Sequence, residues 1–207
     1  MLGALMRAGP HRPRGLTMVE MMVVVAIAAV ILTLAAPSMR DFLARQRVAA
    51  VNAELLTDLQ FARSEAIARN RSVYVTFHTD HGALTCYTVH TRGTVGTCDC
   101  RNPVGTACPA ISGLVELKTV QVQRSTTVTL APPDLPANWL RFSSRRGMAE
   151  WRDHQETHAG YVADWIDFPV GVESSRSGRL RTQVNIAGRP QVCSPDGSIR
   201  GVATCAE

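Results

Sequence analysis

Residues 21–36 read Met-Met-Val-Val-Val-Ala-Ile-Ala-Ala-Val-Ile-Leu-Thr-Leu-Ala-Ala, with no charge and a single hydroxyl, Thr33. Joined to Leu16–Val19, the apolar run approaches about 20 residues, enough for a helix to cross the ~30 Å hydrocarbon core of a bilayer. One acid, Glu20, interrupts its leading edge. A carboxylate near the membrane centre costs roughly 2.5–3.5 kcal/mol, so an acid in such a segment needs a purpose. The blander reading lets Glu20 snorkel to the interface from its place near the segment's end. Pro37 follows the run. It has no N–H and clashes with the carbonyl four residues back, which predicts a kink or local melting there.

Upstream, Met1–Gly15 carries Arg7, Arg12, Arg14 and His11 and no acid. An ordinary signal peptide has its small-residue cleavage site after the apolar run, and Ala35-Ala36-Pro37 is a poor version of one. The order found here is a basic leader, Gly15, hydrophobic Leu16, three residues, Glu20 and an apolar helix. It closely resembles the class III leader of type IV pilins and type II secretion pseudopilins. The resemblance implies cleavage by prepilin peptidase after Gly15, N-methylation of Leu16, an assembly role for Glu20 and a helix kink at Pro37. Leu16 stands where the family usually has Phe. The helix kept after cleavage remains an anchor. The resemblance also implies that the Leu16 amine of a neighbouring subunit can neutralise the Glu20 carboxylate, which would turn a burial cost into a register device. The implied partners are prepilin peptidase, other pilins or pseudopilins, and the inner-membrane assembly platform. The implied location is the inner membrane, single-pass with the globular domain in the periplasm, and then the pilus or pseudopilus.

These signals divide the chain into a leader (1–15), a transmembrane and assembly helix (16–37), an amphipathic helix (38–70) and a β-rich domain (71–207). Beyond the membrane helix about 170 residues remain, one domain's worth. The formal charge of +5 is inflated by three leader arginines and falls to +2 without them, so only a local patch could favour nucleic acid. Six cysteines, Cys86, Cys98, Cys100, Cys108, Cys193 and Cys205, all lie beyond the apolar run. In an exported domain an even count reads as three disulfides. Cys193 and Cys205 bracket the C-terminus and are expected to pair, whereas the other four allow three connectivities. A zinc site on Cys98 and Cys100 with His78, His81 or His90 is the sharper alternative. Zinc motifs space thiolates as C-x₂₋₄-C, and one intervening residue is tight. No metal or cofactor is expected.

From Ser38 to Asn70 the apolar residues Val48, Val51, Leu55, Leu59, Ala62 and Ala66 recur at steps of three and four, an amphipathic stripe. Arg40, Asp41, Arg45, Arg47, Glu54, Asp58, Arg63 and Glu65 are expected mostly on other faces. The stripe suits a coiled coil or, better, a helix packed on a sheet. The block Phe61–Val73, an Ala-Arg-Ser-Glu-Ala-Ile helix end followed by Arg-Asn and a strand, resembles the GspH/FimT branch of minor pilins and pseudopilins. The period then switches to two, predicting a hairpin over 72–90 around Asp80-His81-Gly82. Residues 91–113 form a Gly-rich loop holding three cysteines. Further strands are expected near 114–123, 126–131, 139–143, 161–168, 179–187 and 190–193. Pro132, Pro133 and Pro136 punctuate one gap, and Pro169 and Gly171 another. The expected fold is α+β, a long N-terminal helix packed on antiparallel sheets.

No enzyme is indicated. His154-Gln-Glu-Thr-His158 lacks the H-E-x-x-H order of a zinc protease, and no nucleophile elbow, Walker A or dinucleotide motif appears. In Arg179–Ile186 the apolar Leu180, Val184 and Ile186 share one strand face, and Arg179 and Arg181 the other. The region resembles minor pilins that bind DNA through a Gly-Arg-x-Arg motif during natural transformation. Gly178-Arg179-Leu180-Arg181 matches in letters, whereas Gly188-Arg189-Pro190-Gln191 matches in position but has Gln191 for the second arginine. Arg176, Arg179, Arg181 and Arg189 are thus candidate contacts for double-stranded DNA, weak and sequence-independent. A solvated strand face explains them equally.

Overall fold

The structure, a computed structural model, describes residues 15, 17–78, 84–91, 98–110, 114–123, 128–131, 139–152, 159–160, 166–174 and 178–205. The chain divides into two compact units, residues 1–40 and 41–207. Helix α1 spans Met18–Ala68 and contains Pro37. It ends where the Arg69-Asn70-Arg71 segment predicts. Asn70 takes a left-handed φ of 49°, and its N–H bonds the Ile67 carbonyl at 3.2 Å. The Arg71 N–H reaches back to Ala66 at 3.2 Å, completing a Schellman stop that satisfies two terminal carbonyls.

The second unit is α+β. A six-stranded antiparallel sheet runs in the order β3 (Glu116–Gln123), β2 (Leu84–Thr91), β1 (Val73–His78), β5 (Trp139–Phe142), β6 (Ala149–Arg152) and β7 (Ala159–Gly160). A four-stranded antiparallel sheet runs β10 (Pro190–Cys193), β9 (Gly178–Val184), β8 (Ile166–Ser174) and β4 (Val128–Ala131). Alternation sets the buried face: Val73, Val75 and Phe77 of β1 stand opposite Thr91, Val89 and Tyr87 of β2. On the other flank Val73 and Val75 meet Phe142 and Leu140 of β5. All of these but Thr91 join Val48, Leu55, Leu59, Ala62 and Ala66 of α1, together with Val128, Leu130, Leu180 and Val184 from the smaller sheet, in one core. Each Leu buried there contributes about 1.5–3 kcal/mol. The apolar stripe is therefore a sheet-packing face and no free coiled coil.

Three expectations are corrected. Asp58, expected with the charges lying mostly on other faces, is only 4 % exposed, and Asn52, less than two turns before it, is buried as well. Of the strand expected over 161–168, residues 161–165 lie outside the described ones, and the rest belongs to Ile166–Ser174, which runs on past the expected end. Pro169 and Gly171 fall inside it because its ladder with β9 shifts register between Ile166 and Val170, a bulge where a missing N–H costs nothing. Strands β6 and β7 were not foreseen. His154–His158, Arg176, Leu16 and the Asp80–Gly82 turn lie outside the described residues.

Candidate functional site: the capped apolar helix and the arginine turns

Thr17 opens α1. Its Oγ1 accepts the Glu20 N–H at 3.2 Å, so Thr17-Met18-Val19-Glu20 is a capped start with the acid at the third helical position. An acid there also suits the positive end of the helix dipole. The sequence carried this signal as S/T-x-x-E, and the leader reading passed over it. Beyond the cap, Met18 to Leu34 present their large apolar side chains outward. The apolar window is wholly exposed and long and apolar enough to cross a membrane. Thr33 and Ser38 return their hydroxyls to the Val30 and Ala35 carbonyls, at 2.8 and 3.0 Å, so neither offers a free polar group. Gly15 lies exposed just before the cap.

Among the described candidate arginines, Arg179 and Arg181 lie apart from Arg189. Arg179 and Arg181 sit near the start of β9 and point away from the core that receives Leu180, Thr182 and Val184. In the ladder Arg179 stands opposite Glu173 and Arg181 opposite Cys193. Arg189 lies past the other end of β9, some 15–20 Å along the strand. It is exposed in the turn that joins β9 to β10, where Asn185 Oδ1 accepts its N–H at 2.8 Å. Gly188 before it has φ +71°, and a methyl group there would strike the Gly147 carbonyl oxygen.

This packing brings Arg189 to a second basic turn, which sequence reasoning missed. The Ser143–Gly147 turn closes β5 onto β6 through the Gly147 N–H and Ser143 carbonyl at 2.9 Å, and it exposes Arg145 and Arg146. The Ala149 N–H bonds the Ile186 carbonyl at 3.1 Å, and Arg63 Nε of α1 donates to the Gly147 carbonyl at 3.2 Å. The two adjoining turns therefore carry the exposed Arg145, Arg146 and Arg189, with the half-buried Arg63 against both glycines. The Arg-Arg-Gly letters were available, but it takes the contact of Gly147 with Gly188 and the bond from Ala149 to Ile186 to unite the two turns.

A polar network fixes α1 on the larger sheet. Asp58 Oδ2 accepts the Tyr87 hydroxyl at 2.7 Å, and its Oδ1 accepts Lys118 Nζ at 2.8 Å. Lys118, the chain's sole lysine, also reaches Glu54 at 3.1 Å. Burial, and then the Asp58 carboxylate, push the Tyr87 phenol far above its ordinary range. For Lys118 burial pulls downward, but the hydrogen bonds to Asp58 and Glu54 prevail and the ammonium is held above its usual value. Asn52 Oδ1 accepts Thr182 Oγ1 at 2.9 Å, a matching tie to the smaller sheet.

The cysteines pair as Cys86–Cys100, Cys98–Cys108 and Cys193–Cys205. Cys98 and Cys100 are thus consumed as thiolate donors, and among the described residues no cluster of three metal-ligating side chains forms. The stapled loop is tied down by Gln121 Nε2, which donates to the Cys100 and Asn102 carbonyls at 2.7 and 2.9 Å. The Glu116 carboxylate accepts the Gly105 and Ala107 N–H groups at 2.8 and 2.9 Å. Burial works against the Glu116 charge, yet these bonds and one from Thr119 hold the group below its ordinary value.

The prokaryotic N-terminal methylation motif matches residues 10–36, the leader and apolar helix. The family model described as type II transport protein GspH matches residues 52–188, about two thirds of the chain. The chain belongs to the GspH family. It is a minor pilin or pseudopilin, and its apolar helix fits a membrane anchor. No curated protein and no solved structure matches it significantly. The matched span begins at Asn52, on the helix face that ties to both sheets, and ends at Gly188 in the basic turn.

Proposed function

We propose that this GspH-family chain is cut by prepilin peptidase after Gly15, methylated at Leu16, and assembled through α1 into a type IV pilus or type II secretion pseudopilus. The observation that carries the reading is Glu20, the only charge from Leu16 to Ser38, held in the first turn of an otherwise exposed apolar helix. Paired with a neighbour's Leu16 amine, its carboxylate would set the register of stacked helices in the inner membrane, with the second unit in the periplasm. The chain does no chemistry of its own in this reading. Glu20→Ala should be processed normally yet fail to enter sheared filaments. Its unimpaired incorporation would sink the register role. A Gly15 substitution should leave a precursor longer by the 15-residue leader, and continued shortening would place the cut elsewhere.

A second reading is favoured by one observation, the gathering of Arg145 and Arg146 beside Arg189 on exposed turns. Three phosphate contacts give a log–log salt slope of about −2.7 on duplex DNA, weak per subunit and useful only over several copies. Titration with duplex DNA at low salt should show binding that an Arg145→Gln/Arg146→Gln/Arg189→Gln variant loses. If Arg179→Gln/Arg181→Gln loses it instead, the strand face and not the turn edge carries the contact. Absence of binding by the unmodified chain ends the DNA reading.

A further inference from the structure

A groove of about 470 Å³ opens between α1 and the place where β3, the edge of the larger sheet, parts from β4. Val51, Val120, Val122 and Val128 line its apolar wall. Arg47 and Glu54 mark its two ends, seven residues or about 10.5 Å apart along the helix. Among the described residues Arg47 has no ion-pair partner. At the other end two carboxylates, Glu54 and Asp58, share the one ammonium of Lys118, which leaves a surplus negative charge. A dry cavity of about 150 Å³ holds a benzene ring, so this groove has room for an aromatic and an aliphatic side chain together.

The complement stands on the same chain. Phe42 and Leu43 are exposed large apolar side chains at the start of the second unit, flanked by Asp41 and Arg45. Laid parallel on the groove, a second α1 brings Asp41 to Arg47 and Arg45 to the surplus negative end. The offset is six to nine residues, or about 9–13.5 Å. Laid antiparallel it sets acid against acid and arginine against arginine, which costs instead of gaining. We infer that the groove receives Phe42 and Leu43 of a second copy of this chain, parallel and displaced along the helix by one such offset. This rests on the assembly reading above and adds to it which surfaces of adjacent copies meet outside the membrane.

Within one chain positions 42 and 51 lie about 13.5 Å apart along the helix, well beyond the reach of a disulfide. A bond between them therefore reports two copies. Full-length Phe42→Cys and Val51→Cys chains carrying different tags are co-expressed and oxidised, both in membranes and in sheared filaments. A mixed product of twice the single-chain mass is expected, several-fold above either chain alone. Arg47→Glu on the Val51→Cys chain should lower it about five-fold, the effect of one surface ion pair, and Asp41→Arg on its partner should restore it. If filaments contain the chains but the mixed product is absent, the groove pairing is overturned. The same follows if Val51→Cys is trapped by a subunit of another mass, or if the charge swap does not rescue. If the mixed product forms in membranes while neither chain enters filaments, the assembly reading falls and the pairing stands.

Discussion

Truncating Asp58 should expose how far the second unit depends on one buried carboxylate. Asp58→Ala removes the acceptor of the Tyr87 hydroxyl and one of two acceptors of Lys118. Hydrogen bonds to a charged group are worth about 1.5–3 kcal/mol, and a buried hydroxyl left unsatisfied costs about 1–3. Tyr87 is fully buried and cannot turn to water, so most of that cost is felt. Lys118 is 37 % exposed and keeps Glu54, so its share is discounted to about 0.5–1 kcal/mol. The total is about 3 kcal/mol. Glu54→Ala removes an acceptor that is 47 % exposed and should cost under about 1 kcal/mol. For a unit of this size about 3 kcal/mol lowers the melting temperature by about 6–12 °C. Thermal and urea unfolding of residues 41–207 can measure both variants. Adding Tyr87→Phe to Asp58→Ala should cost about 1 kcal/mol less than the two changes summed, because the orphaned hydroxyl is gone. The reasoning is refuted if Asp58→Ala is no worse than Glu54→Ala, or if the double variant is additive.

Three further outcomes follow from the same geometry. Tyr87 and Lys118 both titrate higher folded than unfolded, so their contribution is whole below about pH 10 and is lost as pH rises further. Unfolding midpoints should be flat from neutral to mildly alkaline pH and fall beyond it, and Tyr87→Phe or Lys118→Met should soften that fall; parallel curves would contradict the assignment. Gly188→Ala should cost at least about 1 kcal/mol more than Gly105→Ala, since both glycines have positive φ but only Gly188 also meets a backbone carbonyl. Denatured, unreduced protein should show no reactive thiol, and replacing Cys193 and Cys205 by Ala should cost about 3 kcal/mol for a loop of 12 residues, read by urea denaturation.

What was legible in the sequence was whatever depends on local spacing. The apolar stripe of α1, the Arg-Asn stop at its end and the hairpin after it are patterns within a dozen residues, and they stand as read. Asp58 was misread because a charged letter beside a stripe ordinarily marks a solvated face. Its partners Tyr87 and Lys118 lie 29 and 60 residues away, and no local pattern announces them. Thr182, the partner of Asn52, is 130 residues off. Strand β8 runs past its expected end for a different reason. Proline normally ends a strand, and only the bulge opposite β9 makes Pro169 tolerable inside one. The arginines were grouped by closeness in sequence, whereas the turns place Arg189 with Arg145 and Arg146.

Asp58 shares a physical role with Asn52 and Arg63. An apolar helix face repeating at steps of three and four can slide on a sheet by one turn, about 5.4 Å, and still present apolar side chains. Leu55, Leu59, Ala62 and Ala66 alone would therefore fix the depth of α1 only loosely. Three polar ties remove that freedom, because a slipped register would strand each buried partner. Asn52 is tied to β9 of the smaller sheet, Asp58 to β2 and β3 of the larger, and Arg63 to the turn between β5 and β6. Each tie reaches a different element, so the helix also fixes the two sheets against each other. In the assembly proposed above, which stacks subunits along their helices, that is the coordinate that has to be held.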